Sequence, residues 1–151
     1  MKAILKVYSI FFVLIYLTVQ TAQAGAEDPK IEKKKTYTKS YPVNSRDKVS
    51  FDNRFGEIKI NTWDKDEVKV DITMIGKANS EEVAQEILNR IKIEDGKDNA
   101  GVFFVTKIGD DNKNWPKGQK YNNTGFTINY IIYMPSQNQL NVANEFGKTF
   151  V

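Results

Sequence analysis

The sequence predicts a mainly β fold, solenoid- or sandwich-like and largely antiparallel, with one amphipathic α-helix at about 80–91. Three observations lead there. First, one pattern occurs twice. Val49-Ser50-Phe51-Asp52-Asn53-Arg54-Phe55-Gly56-Glu57-Ile58 is matched by Leu140-Asn141-Val142-Ala143-Asn144-Glu145-Phe146-Gly147-Lys148-Thr149. Each copy alternates apolar and polar residues, reaches Asn, and then meets Phe-Gly. Alternation marks a half-buried strand. The glycine is expected to take a positive φ at the break, and the Asn to bond nearby backbone and support the bend. Both phenylalanines are expected to be covered. Second, Glu67-Val68-Lys69-Val70-Asp71-Ile72-Thr73-Met74 alternates without a fault, so one face meets the core and the other meets water. Third, helical periodicity occurs once, where Val83, Ala84, Ile87, Leu88 and Ile91 share a face.

Taken in order, the chain opens with a leader. Met1-Lys2 and Lys6 supply positive charge, Val7 to Val19 is apolar, and Ala22-Gln23-Ala24 has the small-x-small pattern of a cleavage site. The apolar run falls short of the roughly 20 residues that an ordinary membrane span needs. Residues 1–24 are therefore expected to be a signal peptide, with no membrane span left after its removal. Residues 25–35, polar and carrying Pro29 and Lys33-Lys34-Lys35, read as a flexible lead-in. Residues 36–151 read as a single β-rich domain, or as the front of a longer solenoid.

Within that domain, Thr36 to Tyr41 alternates ahead of Pro42 and suits a sheet edge. Asn44 to Asp47 is a turn, and the first motif copy follows. Thr62 to Asp66 is a second turn, with Trp63 folded over its end. Asn79-Ser80-Glu81-Glu82 supplies a cap and first-turn acids for the helix, and Arg90 and Lys92 suit its negative end. Ile91-Lys92-Ile93-Glu94 and Val102 to Ile108 form a hairpin about a Gly- and Asp-containing turn. Phe126 to Met134 is a long strand stopped by Pro135. The motif copies lie 91 residues apart at their Asn, beyond the roughly 20–50 residues of simple solenoid repeats.

Composition excludes several chemistries. The chain has no Cys and no His, which removes thiol nucleophiles, Ser-His-Asp triads and the usual zinc ligand sets. Its 22 basic residues against 19 acids become 20 against 19 once Lys2 and Lys6 leave with the leader, so the exported chain is nearly neutral. No clustered basic face points to nucleic acid. Ser45-Arg46-Asp47-Lys48 and Gly147-Lys148-Thr149 superficially match catalytic and phosphate-loop motifs, but neither has the required helix after it. The acids at Asp64/Asp66/Glu67, Glu94/Asp95/Asp98 and Asp110/Asp111 are what tight turns use. No cofactor is expected, and no catalytic or metal-binding residue is assigned.

The candidate contact residues lie in the long polar stretch from Gly109 to Gly125. Asn114, Trp115, Lys117 and Tyr121 combine aromatic and amide groups suited to sugar or protein contacts. The partner expected is a protein or glycan of the cell envelope, with homo-oligomerisation through the strand at Thr149 to Val151 as a further partner class.

Asn-x-Phe-Gly with its short β arm, followed by Asn61-Thr62-Trp63-Asp64-Lys65-Asp66-Glu67-Val68-Lys69-Val70, resembles the bacterial putative-adhesin family of β-solenoid envelope proteins, a domain of unknown function. The lone helix, the strand Tyr130-Ile131-Ile132-Tyr133-Met134-Pro135, and Leu140 to Gly147 follow the same order, so the resemblance covers Val49 to Val151. It implies an exported β-rich body without enzymatic activity. The expected function is thus a non-enzymatic binding or scaffolding module. The alternatives are a small carboxylate-dependent envelope hydrolase and a strand-pairing dimerisation domain.

Overall fold

The computed structural model describes residues 31–109 and 124–151. Nine strands and one helix follow in the order β1 (Ile31–Pro42), β2 (Lys48–Arg54), β3 (Ile58–Trp63), β4 (Glu67–Ala78), α1 (Glu81–Arg90), β5 (Ile91–Asp98), β6 (Gly101–Ile108), β7 (Gly125–Pro135), β8 (Leu140–Glu145) and β9 (Thr149–Phe150). They form two sheets, ordered β1-β4-β7-β3-β9 and β5-β6-β2-β8. Among the described residues the fold is mainly β with one helix, as the sequence predicts.

The strand directions differ in part from that expectation. The long ladders β1/β4, β4/β7 and β5/β6 are antiparallel, but β2/β6, β2/β8, β3/β7 and β3/β9 are parallel. The sheets are mixed. Alternation along one strand reports which face is buried, and it is blind to the direction of the neighbour.

The core lies between the sheets. Val49 and Phe51 of β2, Phe104 of β6, Val70 and Ile72 of β4, and Ile128, Tyr130 and Ile132 of β7 are all buried there. Removing side chains of this size from water contributes about 1.5–3 kcal/mol each. Helix α1 extends the cover. Ser80 caps it, its Oγ accepting from the Val83 N–H at 3.3 Å. Val83, Ala84 and Ile87 bury a second cluster with Ala78, and Leu88 joins the main core. Gly76 of β4 permits the close approach, since a Cβ there would sit 2.6 Å from the Ala84 carbonyl oxygen.

The first strand starts earlier than the sequence suggests. Ile31–Lys35, read as lead-in, pairs with β4 from Ala78 to Met74. The expected apolar alternation is missing because β1 is an edge strand, where charged side chains stay in water and discourage further pairing. Lys33 bonds Glu81, and Glu32 bonds Lys77. The expected hairpin is present, with β5 running to Asp98. Asp98 Oδ1 accepts from the Ala100 and Gly101 N–H groups and closes the turn. Trp63 folds back as expected, its Nε1–H donating to the Glu67 carbonyl at 2.8 Å.

The two motif copies are stacked in register. Val49 to Arg54 pairs with Leu140 to Glu145, so Asn53 faces Asn144. Ile58 then pairs with Thr149 in the other sheet. Each copy therefore leaves one sheet, turns a corner, and enters the other. The corner chemistry differs from the expectation. Positive φ falls on Phe55 (60°) and Phe146 (57°), and neither corner glycine takes it. The glycines are needed for space instead. A Cβ on Gly56 would lie 2.0 Å from the Ile128 carbonyl oxygen, and one on Gly147 would lie 1.7 Å from that of Gly56.

Asn53 also differs. It is fully buried, so its amide reaches across strands and not along its own turn. Its Nδ2 donates to the Ile128 carbonyl at 3.0 Å, and its Oδ1 accepts from Thr106 Oγ1 at 3.0 Å. A hydroxyl has one proton, so Tyr130 must donate to Thr106, 2.8 Å away. The chain Tyr130, Thr106, Asn53, Ile128 is thus satisfied throughout, as buried polar groups require.

Gly56→Ala should destabilise the protein by about 2–3 kcal/mol or prevent folding, because the clash is with backbone. Urea unfolding followed by circular dichroism checks this, and an unchanged midpoint would refute the packing role.

Candidate functional site

The residues singled out from the sequence, Asn114, Trp115, Lys117 and Tyr121, lie outside the described residues. Their anchor points are described. Strand β6 ends at Ile108 and β7 starts at Gly125, and these strands neighbour β2 and β3. The end of β6 and the start of β7 therefore lie at the same end of the sheets as the corners at Phe55 and Phe146.

That end carries an aromatic column. Phe126 meets Phe55 edge-on, with centroids 5.0 Å apart at 74°. Phe55 stacks on Phe146, with centroids 5.0 Å apart at 14°. The positive φ turns both motif phenylalanines outward, so Phe55 is 38 % exposed and Phe146 is 70 % exposed. This corrects the expectation that both are covered. A groove of about 360 Å³ runs along the column, lined by Phe55, Gly56, Phe126, Phe146, Gly147 and Lys148.

Magnitudes make this corner unusual. A left-handed non-glycine residue costs roughly 1–2 kcal/mol, and the same corner occurs twice. The ring contacts return about 0.5–1.5 kcal/mol each, and little burial adds to that at Phe146. Glycine would avoid the strain at both positions. Strained residues of this kind gather at functional surfaces.

The column adjoins β8 and β9, which are the last strands of their sheets among the described residues. Leu140, Val142 and Asn144 of β8 are only half-buried, whereas Val49, Phe51 and Asn53, their in-register partners, are buried. Phe150 and Val151 are exposed beside them. Four of the five exposed large hydrophobics among the described residues, Phe55, Phe146, Phe150 and Val151, thus belong to the corners and the strand β9 edge; Ile131 is the fifth.

The opposite edges, β1 and β5, are fastened to each other. Tyr37 donates to Asp95 Oδ2 at 2.6 Å, and Tyr41 donates to Oδ1 of the same carboxylate at 2.5 Å. Lys97 of β5 donates to the Pro42 carbonyl and pairs with Asp47, both at 2.8 Å. The hydrogen bond from Lys97 holds the Asp47 carboxyl below the usual carboxylate range. The Asp95 bond, followed by burial, pushes both tyrosine hydroxyls up to about 12. Burial pushes Tyr130 up to about 12 as well.

Of the acid clusters, Asp95 serves the clasp and Asp98 the turn. Among the described residues, no group of three or more His, Cys, Asp or Glu side chains is placed to hold a metal ion. No helix of the described residues is long and apolar enough to cross a membrane. Sequence reasoning missed the clasp and Phe126. Tyrosines four apart on one strand were a signal for the clasp, but Asp95 is more than 50 residues away. Phe126 follows its glycine, so it does not match the motif spacing.

No protein-family model and no curated protein sequence matches the chain. Among solved structures, a putative cell adhesion protein from Clostridium sporogenes is weakly similar, with a TM-score of 0.39 and 11 % identity over 74 % of this chain. The match spans about half of that protein, 47 % of its length.

The clasp gives a pH dependence with a definite sign. The folded tyrosines hold their protons more tightly than the unfolded ones, so the contribution is complete below pH 10 and is lost as pH rises through about 12. The urea midpoint should therefore fall steeply across that window, and Tyr37→Phe with Tyr41→Phe should flatten the fall. Equal slopes in both proteins would refute the clasp.

Proposed function

We propose that this chain is an exported, non-enzymatic module of the bacterial cell envelope that binds or scaffolds a protein partner through the corner at Phe55 and Phe146. The observation that carries the reading is the concentration of exposed apolar side chains at one corner and one sheet edge. Contiguous apolar surface of this kind marks interaction sites. Export is supported by the leader, with its basic start, apolar run and Ala22-Gln23-Ala24. The in-register stacking of the two copies supports the resemblance to β-solenoid envelope proteins. The predicted contacts Asn114, Trp115, Lys117 and Tyr121 belong to the same reading, because their segment is anchored at that end of the sheets.

A screen of the exported protein against envelope proteins and glycans tests this. Phe146→Ser should abolish partner binding and leave the melting temperature within a few degrees of wild type, since the ring is mostly in water. Undiminished binding by that variant would overturn the reading.

A further inference from the structure

We infer that the seam between β1 and β5 binds a small amphiphilic carboxylate, with its apolar tail on Met74, Ile91 and Ile93 and its head group at Lys35. The seam lies across the sheets from β8 and β9, and the inference is independent of the corner proposed above.

Strand alternation places the first cation. Tyr37 and Tyr41 of β1 pack against the core, and Lys35 and Lys39 fall on the same face. Lys35 stands in register with the buried Met74 of β4. It nevertheless stays exposed, because a cavity of about 430 Å³ separates β1 from β5 at this level. The neighbouring elements bound that cavity. At one end the hydrogen bond from Tyr37 to Asp95 closes the seam. At the other, α1 packs on β1 and β4 and brings Asn89 to the cavity wall. Met74 and Ile91, both buried, and the half-buried Ile93 make the lining apolar. A cavity of this size, with an apolar lining and a few polar groups, has the makeup of a small-molecule site.

Charge selects the head group. The inward lysines of β1 have different surroundings. Lys33 pairs with Glu81 of α1, and Lys39 lies over the Tyr41 ring. Lys35 makes no ion pair among the described residues, and neither does Lys92 at the rim of the cavity. The acids nearby are engaged elsewhere. Glu94 at the rim faces Lys107 at 3.9 Å, and the Asp95 carboxylate accepts from both tyrosines. Asn89 Oδ1 accepts from Gln85, which leaves the Nδ2 protons of Asn89 as a further donor at the cavity wall. A carboxylate at Lys35 thus gains a charge-assisted hydrogen bond, about twice as strong as a neutral one. Its tail covers the apolar lining and releases water from it. A cationic head group would meet like charge at Lys35 and Lys92. An anion without a tail would leave the lining wet.

The probe is sodium octanoate, added to ¹⁵N-labelled protein expressed from the full-length sequence. Saturable shifts at Lys35, Tyr37, Met74, Asn89 and Ile91 to Glu94 are expected, with half-saturation at about 1 mM. Acetate, which lacks the tail, and octylammonium, which reverses the charge, should give no saturable shift there. Lys35→Gln should raise the half-saturation concentration at least about fivefold without loss of folded dispersion. Lys35→Arg should restore binding, and Lys39→Gln should leave it unchanged. No saturable shift with octanoate would overturn the inference. Equal binding of octylammonium would overturn it as well, by removing the role of charge. Undiminished binding by Lys35→Gln would do the same, as would octanoate shifts gathered at Phe55 and Phe146 in place of the seam. Because the corner is untouched by Lys35→Gln, capture of an envelope partner by that variant should equal wild type, so the two proposals fail or stand separately.

Discussion

The structure depends on the registered stacking of two copies of one strand–corner–strand unit. Asn53 opposite Asn144 sets the register, and a slip of one residue would turn Val142 and Leu140 out of line with Phe51 and Val49. The amides reinforce this, because Asn53 donates to the Ile128 carbonyl of β7 in the other sheet and Asn144 donates to the Gly56 carbonyl at the corner. The stack thus ties the two sheets together at the corner, where a sandwich would otherwise be held only by the packing between its faces. Gly56 and Gly147 follow from the same constraint, since the corners approach more closely than any side chain allows.

The two sides of the sandwich have opposite character. At β1 and β5 the edges are closed by Tyr37, Tyr41, Asp95 and Lys97, and the exposed strand is lined with charge. At β8 and β9 no comparable polar clasp is seen among the described residues, and the exposed side chains are aromatic and aliphatic. Edge strands are usually protected by charge or cover. The first side follows that rule, whereas the described strands of the second carry exposed apolar side chains.

The corner phenylalanines differ in how far burial offsets their backbone strain: Phe55 is mostly covered, whereas the ring of Phe146 remains mostly in water. A corner optimised for stability alone would use glycine at these positions. The cost buys a column of rings at the boundary between the sheets, beside the anchor points of the segment that carries Trp115 and Tyr121.

Strand existence, the helix with its Ser80 cap, the β5/β6 hairpin and the buried face of β4 were legible in the sequence. Each depends on a period, a cap or a turn contained within a few residues. Tertiary structure alone decided the rest. The parallel pairings, the Tyr37–Asp95–Tyr41 clasp and the buried network at Asn53 join residues 24 to 91 positions apart, and nothing in a local pattern names the partner. The early start of β1 was hidden because β4 supplies its hydrogen bonds while its lysines stay in solvent. The exchange of roles between Phe and Gly at the corners has the same origin. A glycine in sequence signals freedom, and only the neighbouring strand's carbonyl shows that what was needed there was space.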